Sequence, residues 1–154
     1  MKIVRITSEN FVQWRNQISE IITDSAKINF PNSIITDDYG KLKCDDISVY
    51  LKDGSAVIFV AAENEELKGW VWCHRIVRLS TSRLHIAEIA ISRNCRNHGI
   101  GSMLLGVVET HAKKIGLTEI DLLVTASNAE ALSFYDKAGF LTERLQLKKT
   151  IGFE

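Results

Sequence analysis

Two closely spaced glycines stand between an apolar run and an amphipathic one, and this pattern can bind phosphate. Residues 87–91 read AEIAI, which is typical of a strand, and residues 96–101 read RNHGIG just before a helical pattern. The first turn of a helix leaves backbone N–H groups unpaired, and its dipole favours negative charge. Glycine lets the backbone come close to phosphate oxygens because it has no Cβ. The segment therefore predicts a phosphate-binding turn.

Two other glycine-rich motifs fit this turn poorly. A dinucleotide-binding turn reads G-x-G-x-x-G or Ala, and here the third position is Leu104. A Walker A loop needs Gly-Lys-Ser/Thr after four spacer residues, and the sequence contains none. From the hexapeptide alone, a glycine turn that binds no ligand is an equally valid interpretation.

Glu88 and His85 are the candidate bases in the same strand-like stretch. Strict alternation places the two side chains on opposite faces of a strand, whereas a bulge between them would reverse that parity. Each residue also has a structural interpretation. Glu88 could be a solvated or ion-paired carboxylate, and His85 a partly buried strand residue.

A second pattern lies at residues 128–140. Asn128-Ala129-Glu130-Ala131 is followed by FYDKAGF at residues 134–140, and Asn128 is a good helix N-cap. Together with AEIAISRNCRNHGIGSMLL at residues 87–105, it resembles the GNAT superfamily of acyl-CoA-dependent N-acetyltransferases. That family has a pyrophosphate loop Arg/Gln-x-x-Gly-x-Gly/Ala and a later segment N-x-x-A-x-x-F-Y-x-K-x-G-F. The two motifs at this separation are far more specific than either alone.

The departures from the family pattern are small. Arg93 stands where many members have proline, and Asn97-His98 replace a more usual glycine-containing pair. Neither change removes a backbone N–H donor, so both leave cofactor binding as an expectation.

The resemblance implies direct transfer of an acetyl group from acetyl-CoA, as co-substrate, to a primary amine, with no metal. It implies that Tyr135 protonates the leaving thiolate, that Glu88 removes the amine proton, directly or through water, and that Asn128 hydrogen-bonds the cofactor arm. An amphipathic core aromatic is the structural alternative for Tyr135. The cofactor-binding residues implied are Ile89, Ala90, Ile91, Arg96, Asn97, His98, Gly99, Ile100, Gly101, Ser102, Asn128 and Tyr135.

The elements that must position these residues follow from periodicity. The apolar stripe Phe11, Trp14, Ile18, Ile21, Ile22 and Ser25 predicts a first helix, capped by Ser8 or Asn10. Residues 29–44 contain Pro31 and Gly40 and are predicted as a loop before a short helix starting at Asp45 or Asp46. The predicted strands are residues 2–7, 56–62, 67–79, 84–91 and 120–124, with a final strand or strand pair at 140–151. Helices are predicted at 99–115, with Ile100, Leu104, Val108 and Ile115 on one face, and at 128–138, ended by Gly139.

This order predicts a mixed α/β fold, specifically a mostly antiparallel twisted sheet with helices on both faces. A chain of 154 residues without linkers or repeats is expected to form one domain, residues 1–154. Nineteen basic residues balance nineteen acidic ones, so no global basic field favours nucleic acid. The N-terminal residues are too short and alternating for a signal peptide, and no apolar run has membrane-spanning length.

The three cysteines, Cys44, Cys73 and Cys95, lie far apart without metal-ligand spacing, which suits a reduced cytoplasm. Cys73 and Cys95 have no evident base partner, so an acyl-cysteine route is the minor mechanism. Many members of the family dimerise, so the resemblance allows a homodimer. The second functional class is a non-catalytic module that senses acyl-CoA.

The acceptor amine is not legible in the sequence. Trp70, Trp72 and His74 share one face of their predicted strand and could line its pocket, although core packing is the usual role of such tryptophans. The acidic residues Asp37, Asp38, Asp45 and Asp46 suggest a cationic acceptor such as a polyamine or aminoglycoside, with solvated loop acids as the alternative.

Overall fold

The computed structural model describes residues 1–152, in which five strands and four helices form. Residues 1–123 make one compact unit, and residues 124–152 belong to a second. The elements of the first unit are β1 (Lys2–Ile6), α1 (Phe11–Asn29), α2 (Tyr39–Lys52), β2 (Val57–Glu63), β3 (Glu66–Arg78), β4 (Thr81–Ile91), α3 (Ile100–Lys114) and β5 (Ile120–Leu122). The second unit contains α4 (Ala129–Lys137).

The sheet has the strand order β1-β2-β3-β4-β5, with antiparallel pairing except for the parallel pair β4–β5. Two-residue turns close both hairpins, and their central residues have positive φ: Asn64 and Glu65 in the first, Leu79 and Ser80 in the second. Positive φ at both positions is the turn geometry that matches the natural twist of paired strands. The predicted mixed, mostly antiparallel sheet is confirmed.

Helices α1 and α2 cover one face of this sheet. The predicted stripe of α1 is buried from Phe11 to Ile22, and it packs with Ile58, Val60 and Trp70 of the sheet. Ser25 is only partly buried, and Ala26 takes its place in the core.

The predicted loop at residues 29–44 is wrong at its C-terminal end, because α2 begins at Tyr39 and not at Asp45 or Asp46. Gly40 suggested a turn, but it lies inside the helix where α1 and α2 touch. A Cβ there would stand 1.9 Å from the Ser19 carbonyl oxygen, and the Gly40 N–H donates to Thr23 Oγ1 at 3.0 Å. The glycine is therefore a close-packing residue.

Helix α3 packs on the opposite face. Ile100, Leu104 and Val108 are buried as predicted, and His111 contacts the ring of Phe59, whose side chain points away from Ile58 and Val60. Ile115 is 41% exposed, contrary to the prediction, because the helix ends at Lys114 and Ala112 completes the buried stripe. Helices on both faces are thus confirmed.

The region after Val124 contains the predicted helix but not the predicted last strand. Asn128 Oδ1 accepts a hydrogen bond from Ala131 N at 3.1 Å, and Gly139 ends the helix with φ +89°. Residues 140–152 form no strand, and Leu141, Leu145, Leu147 and Ile151 are exposed. A strand-like composition needs a hydrogen-bonding partner strand, and these residues pair with none in residues 1–152. None of the helices in the described residues has the length and apolarity of a membrane span.

Candidate active site

Strand β4 changes its environment halfway along. β3 pairs with it over its whole length, but β5 pairs with it only at Leu84, His85 and Ile86. We refer to residues 84–86 as the closed segment and to residues 87–91 as the open segment. The open segment has no second strand beside it among residues 1–152. A cofactor arm can therefore use the backbone groups on that edge.

Backbone direction identifies the groups on the open edge. The Ser92 N–H donates to the Lys68 carbonyl on the β3 side at 2.9 Å. Because successive residues of a strand point their backbone groups to opposite sides, those of Ala90 also face β3. The N–H and C=O groups of Ile89 and Ile91 consequently face the open edge. Two of the three predicted arm-binding residues thus direct main-chain groups there.

A β-bulge lies where the two segments meet. His74 pairs with His85 and Trp72 pairs with Glu88, so one residue of β3 stands opposite two of β4. Directly paired residues share a face, and Trp72 and His74 share a face because they are two apart. Glu88 and His85 therefore lie on the same face, and the bulge reverses the parity that strict alternation predicts.

Glu88 has a carboxyl group whose pKa is raised towards neutral pH. Its carboxylate accepts no hydrogen bond from residues 1–152, and it lies near Lys43 and Cys44 of α2. Burial raises the pKa of Glu88 from 4.5 to about 8, although the charge of Lys43 acts to lower it. Such a pKa suits a general base working near neutral pH.

His85 belongs to a hydrogen-bonded cluster at the closed segment. Its Nδ1 lies 2.7 Å from Asp121 Oδ1 on β5, and the other carboxylate oxygen receives Arg78 Nε at 3.0 Å and lies 3.5 Å from Arg83 Nη1. Burial acts to raise the pKa of Asp121, but hydrogen bonds and charges of His85 and Arg78 outweigh it and lower that pKa. Asp121 is thus a carboxylate at neutral pH.

The glycine turn follows the open segment after a 3₁₀ turn at Arg93–Cys95. Gly99 precedes α3 with φ +77°, and no side chain caps the helix. The first backbone hydrogen bond of the helix runs from the Met103 N–H to the Gly99 carbonyl at 3.0 Å. The N–H groups of Ile100, Gly101 and Ser102 therefore remain for a ligand. A Cβ built on Gly99 meets nothing within 4 Å. Such an open, positively polarised cradle can bind a phosphate group.

The residues just before Gly99 have a defined local conformation. Asn97 has φ +62°, and His98 Nδ1 lies 2.6 Å from the Arg96 carbonyl oxygen, which accepts a hydrogen bond from the ring. This contact is local and joins two residues that both precede Gly99. The predicted residues from Ile89 to Ser102 thus form one continuous stretch from strand edge to helix start.

Tyr135 and Asn128 belong to the second unit. The Tyr135 ring contacts Phe134 and Phe140 with centroids 5.2 and 5.6 Å apart. Burial raises the pKa of Tyr135 to about 12, so the phenol keeps its proton throughout the neutral range. This protonation state is the one that a general acid requires.

The remaining candidate residues, on β3, near α2 and among the cysteines, differ in their burial, contacts and pKa values. Trp70 is fully buried in the core. Of the three residues predicted to line an acceptor pocket on β3, this leaves Trp72 and His74. Asp37, Asp38 and Asp45 contact Lys27, Thr36 and Arg15 respectively. Burial raises the pKa of Cys44 to about 11 and that of Cys73 to about 12, which suppresses both thiolates. Among residues 1–152, no cluster of three His, Cys, Asp or Glu side chains could hold a metal ion.

Sequence reasoning missed Asp121 and Lys43 as neighbours of the two candidate bases. Asp121 approaches His85 through a parallel strand pairing, and Lys43 approaches Glu88 from a helix that was predicted as a loop. Both interactions depend on tertiary packing. No local signal in the sequence marks them.

Comparison with known proteins gives the same family from sequence. The model of the Acetyltransferase (GNAT) family matches residues 16–140. N-alpha-acetyltransferase 30 of Schizosaccharomyces pombe is 37% identical over 83 residues, which are 53% of this chain and 55% of that protein. The uncharacterized N-acetyltransferase YhdJ of Bacillus subtilis is 31% identical over 101 residues, covering 63% of this chain and 70% of that protein.

Solved structures share the fold. A mutant of the BH1408 protein from Bacillus halodurans superimposes with a TM-score of 0.81 at 13% identity, covering 98% of this chain and 99% of the other. A predicted acetyltransferase with acetyl-CoA from Clostridium acetobutylicum gives 0.73 at 15% identity, covering 97% and 95%. The match to the family model extends over well more than half of the sequence. The chain belongs to the Acetyltransferase (GNAT) family.

Proposed function

We propose that this chain is an N-acetyltransferase that transfers the acetyl group of acetyl-CoA directly to a primary amine. The observation that carries the proposal is the open segment of β4, whose free edge, partly buried carboxylate and following glycine turn stand in sequence order. Acetyl-CoA supplies an activated acyl group as a thioester. The chain's own residues bind it, orient it and move protons.

Cofactor binding is assigned to main-chain groups. The N–H and C=O groups of Ile89 and Ile91 hold the pantetheine arm as an added strand would, and an N–H there faces the thioester oxygen. The N–H groups of Ile100, Gly101 and Ser102 hold the pyrophosphate at the N-terminus of α3. Asn128 contributes a further hydrogen bond to the arm.

Proton transfer is assigned to two side chains. An alkylammonium with a pKa near 10 is only roughly one part in 10³ neutral at pH 7, so the amine needs a base. Glu88 takes a proton from the amine nitrogen, directly or through water. Tyr135, protonated across the neutral range, donates to the departing sulfur.

The test is thiol release from acetyl-CoA in the presence of a panel of amines, followed by mass spectrometry of the products. The panel should include polyamines, aminoglycosides and peptides with free α-amines, since one relative is named as an N-alpha-acetyltransferase. An acetylated amine with stoichiometric thiol release is the expected result. Tight acetyl-CoA binding without turnover of any amine would favour the acyl-CoA-sensing module instead.

A further inference from the structure

Acetylation of an alkylammonium requires the removal of two protons from nitrogen. The N–C bond forms, the C–S bond of the thioester breaks, one proton ends on the thiol and the other leaves to solvent. One proton must be lost before the nitrogen can attack, and the second when it attacks. A single carboxylate cannot hold both, so a site that accepts ammonium substrates benefits from two proton acceptors.

The bulge in β4 places two proton acceptors on one face. His85 and Glu88 both project from the face that carries Trp72 and His74, and the His74 and His85 rings lie 5.2 Å apart. Glu88 stands on the open segment, beside the edge assigned to the thioester. His85 stands on the closed segment, with its side chain 15% exposed.

Asp121 fixes which nitrogen of His85 can accept a proton. An ionised carboxylate 2.7 Å from Nδ1 requires a proton on that nitrogen, so Nε2 of the neutral ring keeps its lone pair. Arg78 and Arg83 hold the carboxylate from its other side. The arrangement resembles the way a carboxylate orients a catalytic histidine.

The charged groups around His85 come from three strands and one helix. Arg83 and Glu88 lie on β4, and His74, Arg75 and Arg78 lie on β3. Asp121 lies on β5 and Glu119 just before it. Lys43 of α2 lies near Glu88. Arg78 and Arg83 are paired with acids and Arg75 bonds Ser82. Asp121 is the carboxylate that touches the ring.

We propose that His85, oriented by Asp121, accepts at Nε2 the proton that the acceptor ammonium loses on arrival and passes it to solvent, while Glu88 accepts the proton lost on attack. This inference rests on the proposed function. It makes Asp121 a positioning residue and assigns the two candidate bases to successive steps.

The experiment compares the pH dependence of kcat in the wild-type protein, H85Q and D121N, with H111Q as a matched histidine control on α3. In the wild type the acid limb should approach a slope of two, because two groups must be deprotonated. H85Q should lower kcat roughly 10-fold and reduce the slope to one, and added imidazole should restore part of the loss. D121N should give the same reduced slope, and H111Q should keep the wild-type profile.

Three kinetic outcomes would overturn the inference: a wild-type slope of one, an H85Q slope equal to that of the wild type, or the same change in H111Q. If the wild-type protein turns over the amine while H85Q keeps its profile, this inference fails and the proposed function stands. If the wild type acetylates no amine, both fail.

A second measurement does not depend on activity. Long-range ¹H–¹⁵N spectra of the histidine rings report which nitrogen of neutral His85 carries the proton. The expected wild-type form has the proton on Nδ1, and D121N, whose amide can donate to Nδ1, should move it to Nε2. A wild-type ring protonated on Nε2 would contradict the inference even in a protein that folds normally.

Discussion

The two segments of β4 differ in how many of their hydrogen-bonding groups have a partner in the protein. In the closed segment, Leu84 N donates to the Glu119 carbonyl at 3.0 Å and His85 bonds Asp121, so backbone and side chain both have partners. In the open segment, the edge groups of Ile89 and Ile91 and the Glu88 carboxylate have none among residues 1–152. Residues 88–91 are only partly buried, so water or a ligand can reach these unpaired groups. The unpaired half of the strand is therefore the half to which we assign the ligand.

The largest effect is expected from E88Q, which keeps the shape of the side chain and removes the proton acceptor of the open segment. It should lower kcat/KM by about 10²–10³-fold at neutral pH, the scale of a general base. Wild-type activity should rise with pH through about 8, where the folded-state pKa of Glu88 lies. Steady-state kinetics between pH 6 and about pH 9 measures both effects.

E109Q on the exposed side of α3 is the matched control for the loss of one carboxylate. It should leave the profile unchanged. If E88Q were as active as E109Q, the open segment would not supply the base, and the contrast between the two halves of β4 would lose its catalytic meaning.

The next largest effect is expected at Tyr135, the proposed proton donor, which does not lie on β4. Y135F deletes one hydroxyl oxygen and keeps the ring that packs against Phe134 and Phe140. It should lower kcat by roughly 10²-fold while acetyl-CoA affinity stays nearly constant. The loss should shrink with a thioester whose leaving thiol is more acidic. Equal losses with both thioesters would indicate that Tyr135 positions the cofactor without protonating the sulfur.

A smaller effect distinguishes the two ends of α3. Gly99 at its start and Gly116 just past its end have φ of +77° and +76°, and a Cβ at either would meet nothing within 4 Å. G99A and G116A should therefore cost similar stability, about 1 kcal/mol each, from left-handed strain. Only G99A should weaken acetyl-CoA binding in calorimetry, by about 10-fold, the equivalent of roughly 1.4 kcal/mol. Equal affinities in the two variants would move the pyrophosphate away from this turn.

A separate effect, on stability and not on activity, follows from the raised pKa of Glu88. Between pH 4.5 and about 8 the folded protein keeps a proton that the unfolded chain has released, so this group's contribution to the free energy of unfolding falls as pH rises. E88Q does not titrate. The stability of E88Q relative to the wild type should therefore increase as pH rises from 4.5 through about 8. Urea titrations across this pH range measure the difference. A difference independent of pH would mean that Glu88 is not desolvated in the folded state.

The sequence predicted the parts of the site that depend on local structure. The strand at residues 87–91, the glycine turn and the Asn128 cap follow from periodicity and from backbone requirements that only a few residue types meet. The family motifs then implied roles for Tyr135 and Glu88. These roles remain predictions, whereas membership of the family is established.

The features that could not be predicted depend on tertiary contacts. The bulge that brings His85 and Glu88 to one face has no glycine or proline to mark it, and Asp121 reaches His85 from a strand 36 residues later. Gly40 suggested a turn because its packing role exists only once α1 and α2 meet. The segment at 140–151 has the composition of a strand, but composition cannot supply a partner strand.

Amide hydrogen exchange along β4, with and without acetyl-CoA, tests the central contrast most directly. Without ligand, the amide of Leu84 should exchange slowly, since it is hydrogen-bonded to Glu119, while those of Ile89 and Ile91 should exchange quickly. Saturating acetyl-CoA should slow exchange at Ile89 or Ile91 and leave Leu84 unchanged. Slow exchange at both open-segment amides without ligand, or no change at either upon binding, would contradict the assignment of this edge to the cofactor.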